Sequence, residues 1–132
     1  MLNTLEGKGK IDYNLKEDIL YFYIDKFKSP GAHVYEASVD LDGFIIDIDQ
    51  DNHVIGIELL DASNKLNIDK TVLQFIKEGK FKAMVEEHLI IISFALTAVI
   101  RNKLQHFTLN AERLNTSKLK ASGLECQIMP RK

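Results

Sequence analysis

The chain has 132 residues, 45% hydrophobic and 27% charged, with a net charge of −2. That length suits one ordinary domain and excludes two large independent ones, and the apolar content excludes a wholly disordered chain. The longest apolar run, Leu89–Ile100, falls well short of the roughly 20 residues that cross a bilayer as a helix, and the start carries no legible signal peptide, so a cytoplasmic protein without membrane contact is expected.

Taken in chain order, Ile19–Ile24 (ILYFYI) is rich in β-branched and aromatic residues and predicts a strand, ended by Ser29-Pro30-Gly31. A second strand is expected over 34–39, closed by Asp42-Gly43. Residues 47–58 read DIDQDNHVIGIE, and here two readings compete. Asp47, Asp49, Asp51 and Glu58 have the spacing of calcium ligands in an EF-hand loop. A hairpin turning at Asp51-Asn52 would instead set Phe44 opposite Leu59, Ile46 opposite Ile57 and Ile48 opposite Ile55, an apolar face in one register. The hairpin is preferred, because an EF-hand needs a helix on each side of its loop, and the preceding SVDLDGFII does not read as one. Weak divalent-cation (calcium) binding by Asp47, Asp49, Asp51 and Glu58 stays open as the alternative.

After Asn67 the period changes. Asp69 is placed as an N-cap, Val72, Phe75 and Ile76 recur at helical spacing, and Gly79 stands as a terminator, predicting a short helix over 70–78. Turns at Glu86-Glu87 and Arg101-Asn102 then produce a three-stranded meander over 80–85, 88–100 and 103–114. In it Phe81 faces Ile92, Ala83 faces Ile90, Leu96 faces Phe107, Phe94 faces Leu109 and Ile92 faces Ala111. A buried helix is the rival for Leu89–Ile100, since periodicity alone does not decide a continuous apolar run. Residues 115–123 read as a polar loop and 124–129 as a final strand.

These elements predict a mainly β (α+β) fold of antiparallel hairpins and meanders with one short helix. They are expected to form a single compact domain over 1–132, built as a four-stranded unit at 11–66, a linking helix at 69–79 and a β-meander at 80–129. Two small sheets would pack against each other or across a dimer.

The runs IDYNLKEDILYFYI (11–24) and DGFIIDIDQDNHVIGIELLDASNKL (42–66) resemble a small bacterial and archaeal family, domain of unknown function 2283. Gly43, Asp47, Asp49, the stretch from Val54 to Leu60, Ala62 and Ser63 carry the resemblance. Phe44 and Asn52 depart mildly from its pattern. The family implies a compact antiparallel sheet, no known activity and, through neighbouring toxin-like proteins, a binding role.

Few residues suggest chemistry. Cys126 is the only cysteine and reads as an inert thiol. His33, His53, His88 and His106 lack the close spacing of a metal site, and neither a phosphate-binding loop nor a nucleophile elbow is present. Ser63 reads as structural. Residues 36–69 carry nine acidic side chains against Lys65, and residues 101–132 carry seven basic ones against Glu112 and Glu125. Solvated or mutually attracting segments account for this asymmetry. The expectation is therefore a non-catalytic interaction module without cofactors, acting by self-association or on a small protein partner and not on nucleic acid or membranes.

Overall fold

A computed structural model describes residues 4–25 and 35–128. The described chain runs β1 (Thr4–Asn14), β2 (Ile19–Ile24), β3 (Tyr35–Asp40), β4 (Phe44–Asp49), β5 (Val54–Leu60), α1 (Ala62–Leu66), α2 (Lys70–Leu73), β6 (Ile76–Val85), β7 (Leu89–Ile100), β8 (Lys103–Leu114) and β9 (Ser122–Ile128). The strands form one sheet in the order β3-β4-β5-β2-β1-β9-β6-β7-β8. Every neighbouring pair is antiparallel except β1 and β9, which run parallel with Thr4 beside Gly123 and Gly9 beside Ile128. None of the described helices is long and apolar enough to cross a membrane.

Local chemistry explains the hairpins. Asp42 and Gly43 (φ 58° and 97°) and Arg101 and Asn102 (φ 51° and 64°) place two successive residues at positive φ. That is the twist a two-residue hairpin needs, and Asp, Asn and Gly reach it most easily. Period-two alternation then separates the faces. Phe22, Ile46, Ile57 and Leu59 from the first half, with Phe81, Ala83, Ile92, Phe94 and Leu124 from the second, are all buried on one side.

Because that apolar side is continuous across the sheet, the sheet folds over and packs on itself. The Phe22 ring stacks on Phe94 at 4.4 Å between centroids and meets Phe81 at 5.4 Å, while Phe44 lies 6.5 Å from Phe94. Arg113 of β8 reaches the β3–β4 turn, donating from Nε to the Leu41 carbonyl (2.8 Å) and from Nη2 to that of Asp42 (3.3 Å). Its guanidinium and the Lys65 ammonium lie 4.9 and 5.3 Å from the centre of the Phe44 ring.

Several expectations change. The first hairpin keeps Phe44 opposite Leu59 and Ile46 opposite Ile57, but a bulge sets Ile48 against Val54, not Ile55. The turn sits earlier than expected, centred on Gln50-Asp51, with the Asn52 N–H donating to the Asp49 carbonyl and Asn52 itself at φ 63°. The helix expected over 70–78 ends at Leu73, and Ile76 already belongs to β6. Asp69 does cap α2, its side chain accepting from Thr71 N–H. Gly79 is a strand residue, where an added Cβ would lie 2.5 Å from the Ala95 carbonyl oxygen. The rival helix for Leu89–Ile100 is overturned by its ladders to β6 and β8.

The turn expected at Glu86-Glu87 lies one residue later, with Glu86 N–H donating to the Leu89 carbonyl. Phe81 consequently faces Phe94, and Ala83 faces Ile92. A shift of two along the partner leaves each side chain on its face, so hydrophobic patterning does not distinguish these registers. The Arg101-Asn102 hairpin has the expected pairs. Residues 11–66 contain five strands, since β1 enters that unit, and the helix α1 was not foreseen. Ser29-Pro30-Gly31, Val34 and Met129 lie outside the described residues.

Gly9 sits at the fold line, where an added Cβ would be 2.4 Å from Phe81 Cε1 and 2.8 Å from Cys126 Cβ. Gly9→Ala is expected to lower the unfolding free energy by about 1–3 kcal/mol, the usual cost of overpacking, as measured by denaturant melts.

Candidate functional site

The four carboxylates of the acidic hairpin separate into two places. On the outer face Asp47 lies opposite Gly56, with Ser38 across from it on β3 and Glu58 one step along β5. With no side chain at Gly56, Glu58 and Asp47 meet through a hydrogen bond, and Ser38 Oγ donates to Asp47 at 2.7 Å. Burial, then the hydrogen bond and negative charge of Asp47, push the Glu58 carboxyl up to about 7. A protonated Glu58 is therefore held against Asp47 close to neutrality.

Asp49 belongs to the turn and is buried, 1% exposed. Its Oδ1 accepts from the backbone N–H groups of Asp51 and His53 at 2.9 Å each, which holds the turn, and its Oδ2 lies 3.5 Å from His53 Nδ1. Among the described residues, the one cluster of three metal-ligand side chains is Asp49, Asp51 and His53, with donor atoms within 4.8 Å of one another. The structure thus brings together Asp49 and Asp51 from the predicted set, separates Asp47 and Glu58 from them, and adds His53.

Asp18 escaped the sequence reading. It stands at φ 57° in the β1–β2 turn and is 7% exposed. Its carboxylate accepts from Tyr13 OH (2.7 Å), Ser63 Oγ (2.6 Å) and Ser63 N–H (3.1 Å). Asp61 at the N-cap of α1 makes no side-chain capping bond, so Asp18 satisfies the first turn of that helix from 45 residues away. Burial raises the Asp18 pKa, but the bonds from Ser63 and Tyr13 and the charge of Lys70 outweigh it, and the net shift is downward. Ser63 is structural, as its setting in DASNKL suggests. Only its spatial partner was hidden, because Asp18 looks like any turn aspartate.

The sheet's two edges differ. β3 is six residues long and irregular in its pairing between Tyr35 and Ala37. β8 runs for twelve residues without a bulge, and among the described residues nothing pairs with its outer side. The two-residue turn makes Ile100 and Lys103 the closing hydrogen-bonded pair. Odd-numbered residues of β8 therefore direct their backbone groups to β7, and even-numbered residues from Leu104 to Leu114 direct theirs outward. Leu104 and Leu114 are 60% and 67% exposed. A cleft of about 430 Å³ is open and mixed in charge, with Lys8, Lys10 and Lys77 beside Asp12 and Asp25.

Glu58 yields a prediction. Its unfolded value is 4.5 and its folded value about 7, so the folded state holds an extra proton between them. That contribution to stability is complete below 4.5 and lost as pH rises through 7. A carboxyl NMR titration should place Glu58 near 7, and Glu58→Gln should flatten the fall in melting temperature across this window.

A Methanosarcina mazei protein named "Putative hypoxanthine phosphoribosyltransferase" is 37% identical over 118 residues, covering 88% of this chain and 91% of its own length. An uncharacterized protein of Methanocaldococcus jannaschii is 34% identical over 101 residues, 73% of this chain and 78% of its own length. No solved structure matches the chain. Residues 10–63, from within β1 to the start of α1, match a family described as a protein of unknown function, and this segment of the chain belongs to that family, DUF2283.

Proposed function

We propose that the chain is a non-catalytic interaction module that binds a protein strand along the free edge of β8. The observation that carries this reading is the twelve-residue, bulge-free edge with outward backbone groups and two exposed leucines. Edges of this kind add strands, the backbone ladder supplying affinity and alternate side chains supplying selectivity. The tagged full chain, recovered from extract of its source cells and weighed by native mass spectrometry, is expected to carry a stoichiometric protein subunit. Asn110→Pro, which removes an outward N–H that β7 does not use, should release it. A bare monomer, or an assembly indifferent to Asn110→Pro, overturns the reading.

Cation binding is the second reading, favoured by the convergence of Asp49, Asp51 and His53. A histidine beside two carboxylates suits zinc better than calcium, which prefers an all-oxygen shell. Asp49 already holds two backbone N–H groups, so the affinity should be weak. Calorimetric titration with zinc is expected to give millimolar or no binding. Tight binding abolished by Asp51→Asn would reverse the ranking.

Phosphoribosyl transfer, which the name of the Methanosarcina relative would bring to this chain, ranks below both. Phosphates are held by helix N-termini or by glycine-rich runs of backbone N–H groups, and the described helices have five and four residues.

A further inference from the structure

We propose that the strand received by β8 is β8 of a second copy, paired antiparallel about a two-fold axis through Leu109; this rests on the reading that the β8 edge takes a strand. Two constraints select the register. In a two-fold antiparallel pair, the numbers of facing residues all share one sum. Only the even-numbered residues of β8 direct their backbone groups away from β7, so that sum is even; among them the Glu112 carbonyl accepts from Arg113 Nη1 (2.9 Å) and must be released for the ladder to form. Axes through single residues, such as Thr108, Leu109 or Asn110, satisfy this, and axes between residues do not.

Side chains then choose among the axes. With Leu109 on the axis, Leu104 faces the partner's Leu114, His106 faces the partner's Glu112, and Thr108 faces the partner's Asn110 on the outer side. On the inner side Phe107 faces the partner's Ala111, and the two Leu109 meet. Two of the four exposed large hydrophobic residues described in the chain thereby cover each other, and an imidazole faces a carboxylate. Moving the axis to Thr108 sets Leu104 against the partner's Glu112 and Lys103 against the partner's Arg113. Moving it to Asn110 sets His106 against the partner's Leu114 and Phe107 against the partner's Arg113. The edge is thus complementary to itself in one register, which is what a symmetric interface requires.

The opposite edge shows the contrast. Over its described residues β3 is irregular in its pairing and acidic at Asp40. Irregular and charged edges are the ones that resist pairing. β8 carries its charged residues near its two ends, Lys103 on one side and Glu112 and Arg113 on the other, with His106 between them and no proline.

Sedimentation of the full chain together with a cysteine scan tests the proposal. Residues facing each other outside the hydrogen-bonded pairs are about 4.5 Å apart at Cα, within reach of a disulfide. A dimer is expected, with Leu109→Cys cross-linking on oxidation and Thr108→Cys and Asn110→Cys failing to do so; the native Cys126 is buried and should stay silent. Because Leu109 also packs on the core, His106→Glu serves as an independent variant. It should weaken the dimer roughly tenfold by placing two like-charged pairs across the interface, with recovery in His106→Glu/Glu112→Lys. A dimer that cross-links through Thr108→Cys or Asn110→Cys instead overturns the register. A monomer at every loading concentration overturns the dimer, and if that monomer still holds a different protein through an Asn110→Pro-sensitive contact, the edge reading stands without it.

Discussion

The parallel pairing of β1 with β9 is the constraint on which the rest of the structure depends. It brings residues 4–9 beside residues 123–128 and so joins two antiparallel arrays into one sheet. A continuous sheet with a single apolar face has only two ways to hide that face, a covering layer or itself. The described helices, of five and four residues, are too small to cover nine strands. The sheet therefore folds over, and the fold line needs small residues. Gly9 lies beside Cys126 and under the Phe81 ring, where even a methyl group would collide.

Phe22, Phe44, Phe81 and Phe94 record the consequence, since the two halves meet through their rings. The open end of this core is closed by cations. Lys65 donates to the carbonyls of Gly43 and Leu60 and sits against the Phe44 ring, and burial draws its pKa down. Arg113 comes from the far edge of the sheet to the carbonyls of the β3–β4 turn. Arg113 spends its charge on carbonyl oxygens and a ring face, a use that segment charge alone does not reveal.

What could be read from the sequence was local. Strand 19–24, the Arg101-Asn102 hairpin and the pairs Phe44–Leu59 and Ile46–Ile57 follow from alternation and turn residues separated by a few positions. Errors arose where two solutions bury the same face. The β6–β7 register moved by two because Phe81 is satisfied equally by Ile92 or Phe94. Gly79 resembled a helix stop because a strand glycine admitted by a neighbouring carbonyl has no local signature. The β1–β9 contact and the Asp18–Ser63 bond join residues far apart in the chain, and nothing in either neighbourhood announces the other. The acidic hairpin was misjudged as a group because a bulge and an early turn carry Asp49 into the interior, away from Asp47 and Glu58.

The same geometry bears on function. Once a sheet has folded on itself, its inner face is consumed by the core, and recognition falls to the outer face, the loops and the edges. On the outer face the polar groups largely answer one another: Tyr23 OH donates to Asp12, Ser38 to Asp47, and Glu58 is hydrogen-bonded with Asp47. Groups satisfied in this way gain little from a ligand, since each new bond replaces one already made. Apart from the Glu112 carbonyl, which accepts from Arg113 Nη1, the outward backbone groups of β8 pair with no other described strand, and a backbone ladder is the most direct partner for such a row. Selection for binding would therefore act on the even-numbered residues of β8, whose backbone bonds outward while their side chains sit on the solvent face. The odd-numbered residues answer mainly to the core.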